Sequence, residues 1–282
     1  MKILITGGKG MLGRTIQKEF SEHNIICADL PECDITDEVL LDSFIQRELP
    51  DTIIHCAAMT KVDKCETEKE TAFLINRDGS ANVAKACNRH HIRLIAISTD
   101  YVFSGDSPKP YSEYDIADGG RTVYGQSKFA GEEAVRHFCP DHVICRISWL
   151  YGAGGPSFVH TMLQLADGSR PFLKVVADQV GNPTSALSVA RKLREILNHR
   201  TLTGTFHLTC EGEASWAEFA AEIFRLAHRT QQVQPCTTKE FPRPAPRPAN
   251  SCLEKRRLKE NGLSPMPHWK EALAEFIASE FN

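Results

Sequence analysis

The first half of the chain alternates short apolar runs with stretches of helical period. Apolar runs fall at 2–6 (KILIT), 24–29 (NIICAD), 51–58 (DTIIHCAA), 92–98 (IRLIAIS) and 142–148 (HVICRIS). Between them apolar residues recur at helical spacing: Leu12, Ile16 and Phe20, then within 39–49, then within 71–87. Short runs alternating with helices read as β-α-β units whose strands are buried on both faces. Right-handed crossovers then wind such units into a doubly wound parallel sheet. After Trp149 the pattern loosens. Residues 150–157 read as a loop, 157–166 as a short helix, 172–178 as a strand and 183–197 as a helix opened by Pro183. A strand at 204–210 and a helix at 215–227 follow. Four prolines in 241–250 (FPRPAPRPAN) exclude helix or central strand there. A basic helix near 253–259 and an amphipathic one at 268–278 close the chain. The expected fold is therefore α/β. A doubly wound parallel sheet occupies 1–148, with a smaller α+β lobe over 149–282 from which about 172–200 returns to the sheet.

Composition narrows the function classes. With 282 residues, 41% hydrophobic and 24% charged, the chain buries a core and is not a disordered segment. A net charge of −3 gives no nucleic-acid or anionic-membrane surface. No apolar run approaches the roughly 18 residues of a spanning helix. Met1-Lys2 leads into a stretch too short for a signal peptide, so the chain is expected in the cytoplasm. The ten cysteines form no CxxC pair and several sit inside apolar runs, which implies reduced thiols. The histidines form no metal-ligand spacing, and no metal site is expected from either residue type.

The first apolar run enters TGGKGMLG, where Gly7, Gly10 and Gly13 form G-x-x-G-x-x-G ahead of a helix opened by Met11 and Leu12. A strand, a glycine loop and a helix N-terminus in this order let backbone amides approach a pyrophosphate. The first half thus reads as a Rossmann-type dinucleotide-binding domain. Asp29 ends the second run, 22 residues after Gly7, where an acid bonds a ribose 2′-hydroxyl and favours NAD. Lys9 and Arg14 lie nearby and would instead receive a 2′-phosphate. The two signals conflict; the reading leans to NADPH with NADH tolerated.

Tyr124 and Lys128 in TVYGQSKFAGE lie four residues apart at a helix start, hence on one face. Beside a dinucleotide the pair gains a use. Reduction of a ketone needs a proton for the developing alkoxide, and an ammonium near a tyrosine favours its phenolate and eases proton donation. A third hydroxyl belongs at a neighbouring strand end. Ser98 and Thr99 end the fourth run, Thr99 standing 25 residues before Tyr124.

Taken together, GGKGMLG, DITD (34–37), HCAAMTKVDKCE (55–66), STDYVFSG (98–105), YGQSKFAGE (124–132), RISWLYG (146–152), VVADQVGNPT (175–184) and RPANS (247–251) stand in an order that resembles the dTDP-4-dehydrorhamnose reductase family. That family lies within the extended short-chain dehydrogenases and reductases. The resemblance implies NAD(P)H-dependent reduction of a dTDP-4-keto-6-deoxysugar. Gly7, Gly10 and Gly13 would hold the pyrophosphate, Asp34 and Ile35 would border the adenine, and Ala57 and Ala58 would line the cofactor channel. Thr99 would bond the keto oxygen, Tyr124 donate the proton, and Lys128 position Tyr124 and the ribose. Thr60, Val62, Asp100, Tyr101 and Trp149 would contact the sugar, with Thr60 also at the cofactor. The segment 239–259 carries seven basic residues against two acidic ones. Of these Arg247 alone lies in a family motif and is the candidate for a nucleotide or diphosphate contact.

Plainer readings stand beside these. Trp149 would serve as core, Asp100 as a turn cap, and Asn76 as a helix-surface amide rather than as a group that orders a bulge or water. The chain also departs from the family. Met59 replaces an aromatic, and DGGRTVYG (118–125) lacks prolines before the tyrosine, so a more mobile approach loop is expected. Thr15 stands where some relatives have an acid for a dimer-bridging Mg²⁺, so Mg²⁺ is unsupported and the chain is a monomer or homodimer. Another epimerase or reductase of nucleotide sugars, or a dinucleotide-binding regulatory subunit, is the alternative function.

Overall fold

The computed structural model of the chain describes residues 1–281. The elements begin with β1 (Lys2–Thr6), α1 (Met11–Glu19), β2 (Asn24–Ala28), α2 (Glu38–Glu48) and β3 (Thr52–His55). Next come α3 (Val62–Thr67), α4 (Lys69–Phe73), a π-helical turn (Leu74–Asp78) and α5 (Gly79–Arg89). β4 (Arg93–Thr99) runs through a 3-10 turn (Asp100–Val102) towards α6 (Val123–Phe138) and β5 (His142–Ile147). The second half holds β6 (Leu150–Tyr151), α7 (Phe158–Leu165), β7 (Phe172–Val176), β8 (Val180–Gly181), β9 (Thr184–Ser185) and α8 (Ala186–Asn198). It ends with β10 (Gly204–His207), β11 (Ala214–Ser215), α9 (Trp216–Leu226), β12 (Gln232–Cys236), α10 (Arg256–Glu260) and α11 (Trp269–Glu280). No helix among the described residues is long and apolar enough to cross a membrane.

Six strands form one parallel sheet in the order β10-β5-β4-β3-β1-β2. Alternate residues of each strand supply opposite faces, as a doubly wound sheet requires. Ile3, Ile5, Ile54 and Phe206 face α1 and α8, with Ile16 and Leu193 among their neighbours. Leu4, Ile53, Leu94 and Ile144 face α2, α5 and α6, against Leu41, Val83 and Val135. The strand order reverses between β1 and β3, and the crevice above such a switch point is where open α/β sheets take ligands.

The division of the second half differs from the sequence expectation. Within 172–200 only α8 returns to the sheet; β7 pairs with β12 and joins the other core, with Phe219, Trp269 and Phe276. The reason is amphipathicity. Along β7 Leu173 and Val175 are buried while Phe172 and Lys174 are exposed, which suits a ribbon covered on one face. Conversely β10, expected in the second lobe, extends the main sheet beside β5. The helix expected over 71–87 is interrupted by the π-helical turn at Leu74–Asp78.

α6 starts where Thr122 caps it, its hydroxyl accepting the Gly125 amide at 2.9 Å. It is pinned by a buried ion pair. Glu132 accepts two hydrogen bonds from Arg146 on β5, at 2.9 and 2.7 Å, one from Arg136 at 2.7 Å and one from Ser98 on β4 at 2.5 Å. Burial alone would push the Glu132 carboxyl up, but Arg146, with Arg136 and Ser98, holds it down at about 2. A carboxyl lowered in this way stabilises the fold above its ordinary value, and that contribution fades as pH falls towards 2. Glu132→Ala strands Arg146 in the interior. It should lower the unfolding free energy by about 3–5 kcal/mol in urea denaturation; a loss below about 1 kcal/mol would contradict the pair's structural weight.

Candidate active site

β1 delivers the chain into the glycine loop at Gly7, which has φ +67°. A β-carbon there would sit 2.7 Å from the Ala57 nitrogen, and one at Gly13 would sit 2.5 Å from the Gly7 carbonyl oxygen. Both positions are therefore closed to side chains. No side chain caps the first turn of α1, which leaves the N-terminal amides around Met11 and Leu12 without a side-chain partner. Asp29, expected at a ribose hydroxyl, takes the Lys9 amide on Oδ2 at 2.9 Å and the Leu30 amide on Oδ1 at 3.0 Å. It braces the loop. Lys9 and Arg14 are exposed beside it. Asp34 Oδ1 accepts both the amide and hydroxyl of Thr36, at 2.9 and 2.8 Å, and Ile35 is buried against α5. Thr15, at the position of the doubtful metal ligand, donates its hydroxyl to the Met11 carbonyl at 2.9 Å.

Ala57 and Ala58 follow β3, half-buried across from the loop. Asn76 holds the next residue: its Oδ1 accepts the Met59 amide at 2.8 Å and its Nδ2 donates to the Met59 carbonyl at 3.1 Å. The same Nδ2 donates to Ser127 at 2.9 Å, and Ser127 donates to the Tyr124 carbonyl at 2.9 Å. Asn76 is buried in the π-helical turn, so it is no surface amide. On the far side of that turn His55 bonds Thr6 at 2.7 Å and Ser80 at 3.1 Å. Burial, with the Lys128 charge adding, lowers His55 to about 3 and keeps it neutral.

Tyr124, Lys128 and Thr99 converge where β4 meets α6. The Tyr124 ring packs with Cys65, Val123 and Met59, its hydroxyl beside that of Thr99. Burial pushes its phenol up; the Thr99 hydrogen bond opposes this and Asp100 adds to it. Lys128 is buried and donates from Nζ to the Ile97 carbonyl at 2.8 Å. Burial lowers it to about 8 against the pull of Glu132. Burial is thus the largest influence on the Tyr124 phenol, while Lys128 Nζ turns to the strand end. The approach loop is tied down, with the amides of Asp118 and Gly119 on the Val102 carbonyl at 3.2 and 3.0 Å. Gly125 lets α6 come against the Tyr101 carbonyl, where any side chain would clash.

A cavity of about 650 Å³ opens beyond Tyr101. Tyr101 forms its inner wall and packs edge-on against Tyr124, 5.6 Å between ring centres. Trp149, held at φ +47°, stacks on Trp216 at 3.5 Å and forms another wall while packing against the second core. Trp216 donates from Nε1 to Gln179 at 3.1 Å. Arg247 reaches the cavity braced by Asp63 at 2.9 Å, and Arg170, Lys174 and Arg243 add positive charge. Asp100, expected against the sugar, is instead buried, with Oδ1 on the Thr99 hydroxyl at 2.9 Å. Thr60 is exposed on the loop before α3 and Val62 opens that helix; neither lines the cavity. Sequence reasoning missed Asp63, Gln179, Trp216 and Ser251. The first two and Ser251 stood inside recognised motifs; Trp216 carried no signal beyond its size.

Residues 1–281 match the RmlD substrate binding domain family. The dTDP-4-dehydrorhamnose reductase of Mycolicibacterium smegmatis is 40% identical over 283 residues, 99% of this chain and 85% of that protein. Two solved structures superpose closely. A dTDP-4-dehydrorhamnose reductase from Clostridium acetobutylicum has TM-score 0.96 and 42% identity, covering 99% of both chains. One from Bacillus anthracis, in complex with NADP, has TM-score 0.95 and 40% identity, again over 99% of both.

The glycine geometry separates folding from binding. At Gly10 a β-carbon would meet only the Gly7 carbonyl oxygen, at 3.2 Å, and the backbone there is one that any residue adopts. Gly10→Val should therefore fold yet lose at least about tenfold in NADPH affinity by fluorescence titration. Unchanged affinity would remove the loop from the cofactor site.

Proposed function

Because the chain belongs to the RmlD substrate binding domain family, we propose that it reduces the 4-keto group of dTDP-4-dehydrorhamnose to give dTDP-L-rhamnose, using NADPH. It is an NADPH-dependent oxidoreductase. The observation that carries the assignment of roles is the meeting of Tyr124 and Lys128 on α6 with the end of β4, where Lys128 Nζ reaches the Ile97 carbonyl at 2.8 Å and Tyr124 packs against Tyr101 of the cavity wall.

The residues present fit the cofactor. The closed backbone at Gly7 and Gly13 and the uncapped amides of α1 form a cradle for a pyrophosphate. Exposed Arg14, with the Lys9 ammonium beside it on the Leu30 carbonyl at 2.7 Å, suits a 2′-phosphate, while Asp29 is engaged with the loop, which favours NADPH over NADH. Ile35, Ala57 and Ala58 would flank the cofactor, and Lys128 would hold the ribose. Bound NADPH supplies the hydride. The chain supplies the rest. Tyr124 donates its proton to the oxygen that becomes the alcohol. Tyr101 and Trp149 wall the sugar, and the basic rim with Arg247 receives the diphosphate. The free cysteines suit a reducing compartment, so we place the reaction in the cytoplasm.

The direct test follows NADPH oxidation with dTDP-4-keto-6-deoxyglucose and a 3,5-epimerase, identifying the product by NMR. Tyr124→Phe should lower kcat about 10²–10⁴-fold while NADPH still binds; a rate near wild type would end the acid assignment. Lys128 carries its charge below about 8, so kcat/KM should fall as pH rises through that value. A flat profile across about pH 7 to 9 would contradict its role.

A further inference from the structure

Trp149 lines the 650 Å³ cavity in a backbone conformation that bulky residues seldom adopt. Its φ is +47°, and such a position persists only where the surroundings over-determine it. The chain around it is fixed. The Ser148 hydroxyl donates to the Asn182 carbonyl at 3.0 Å, and the Thr184 amide donates to the Trp149 carbonyl at 3.2 Å.

The indole is held on both faces. One face lies flat on Trp216, with ring centres 3.5 Å apart and planes within 7° of parallel. The other face meets Gly181. A β-carbon at Gly181 would sit 2.5 Å from Cε2 of Trp149, 2.7 Å from Nε1 and 2.8 Å from Cζ2. A point beyond the rim would be nearer to Nε1 and Cζ2 than to Cε2, the atom bonded to both, so this point lies over the ring. On the Trp216 side it would fall inside the stack and meet Trp216 atoms. Its three nearest atoms all belong to Trp149, so Gly181 covers the opposite face.

The two jaws of this clamp are joined and anchored. β8 pairs with β11, which sets Ala214 opposite Gly181 and Ser215 opposite Val180, immediately before Trp216. Phe158 packs on Trp216 with ring centres 4.6 Å apart. Trp216 Nε1 donates to Gln179 Oε1 at 3.1 Å, and Gln179, buried, donates from Nε2 to Thr238 Oγ1 at 3.0 Å. Thr238 in turn donates its hydroxyl to Asp178 at 2.7 Å. The Val180 amide donates to the Ala249 carbonyl at 2.9 Å, and the Ser251 amide to the Val180 carbonyl at 2.7 Å. An indole seated this way cannot turn aside for a ligand or tilt towards one.

We propose that Trp216 and Gly181 are positioning residues that clamp Trp149 as a rigid wall and thereby set the selectivity of the site for the sugar half of its substrate. The proposal rests on the reading of Trp149 as a wall of the sugar site. The sugars at issue differ in configuration at ring carbons, so the wrong isomer brings a methyl or hydroxyl group against the wall. A wall rejects such a group by shape only if it does not yield. In a pocket that keeps its form, a contrast of one methyl-sized group is worth roughly 10–200-fold. Gly181 does not line the cavity, so its influence on a sugar passes through Trp149.

The test titrates the full chain calorimetrically with dTDP-L-rhamnose, with dTDP and with NADPH, and follows turnover of the 4-keto sugar with and without prior 3,5-epimerisation. Gly181→Ala displaces Trp149 from one side and Trp216→Leu releases it from the other. Each should weaken dTDP-L-rhamnose at least about tenfold while dTDP and NADPH change less than about threefold. Turnover of the epimerised sugar should fall through KM with kcat within about threefold of wild type, and the preference for it over the unepimerised sugar should narrow. Trp216→Phe keeps a flat ring on Trp149 and should restore dTDP-L-rhamnose affinity to within about threefold of wild type. Weakening of dTDP and dTDP-L-rhamnose in equal proportion is the mark of a general loss of shape and would overturn the clamp. So would unchanged dTDP-L-rhamnose affinity in Trp216→Leu, a variant that decides the matter even where Gly181→Ala does not fold. An effect of Trp216→Leu beside a folded but unaffected Gly181→Ala would make Trp216 a direct contact and also overturn it. A wild-type chain that binds dTDP-L-rhamnose no better than dTDP would instead remove the sugar reading of the cavity, and the clamp with it.

Discussion

The Glu132 carboxylate is the constraint on which the site depends. It lies in the interior, where a charge is tolerated only if every lone pair is answered. Ser98 on β4, Arg146 on β5 and Arg136 on α6 answer it, so two strands and a helix must meet at one point. That meeting sets the height of α6 on the sheet. One turn earlier along the helix Lys128 reaches the Ile97 carbonyl; one turn earlier again Tyr124 stands beside Thr99, the residue after Ser98.

A second set of bonds fixes the other side of α6. Asn76 links the loop after β3 to Ser127, and Ser127 carries the link to the Tyr124 backbone. The π-helical turn serves this purpose, since it holds the Asn76 side chain between two elements; π-turns inside α-helices are often found at functional sites. Neutral His55 ties the same turn, through Ser80, to Thr6 at the mouth of the glycine loop. The cofactor crevice and the hydroxyl pair are thereby parts of one hydrogen-bonded frame.

The sheet was legible in the sequence because its strands are buried on both faces and read as continuous apolar runs. KILIT and IRLIAIS need no partner to be recognised. The glycine loop and the Tyr124–Lys128 spacing were legible for a similar reason: their chemistry is local. What escaped depends on contacts between distant segments. β10 has the same short apolar look whether it closes the sheet or starts a new one. Asp29 reads as a ribose ligand until its carboxylate is found on the Lys9 amide. The Trp149–Trp216 stack and the Asp63–Arg247 pair join residues 67 and 184 positions apart along the sequence. Spacing carries no record of them. Lys128 is the instructive case, since its place on α6 four residues from Tyr124 was legible in the motif while its immediate partner, a strand-end carbonyl, was not.

Reduction at this site consumes NADPH and leaves its hydride on the sugar. The most direct measurement supplies NADPH deuterated at the transferable position and reads the sugar product by NMR. One deuterium should appear at C4 of the product sugar for each NADPH oxidised. Product without deuterium, or turnover that returns the label to the cofactor and leaves NADPH unconsumed, would contradict it and mark the chain as an epimerase-like relative.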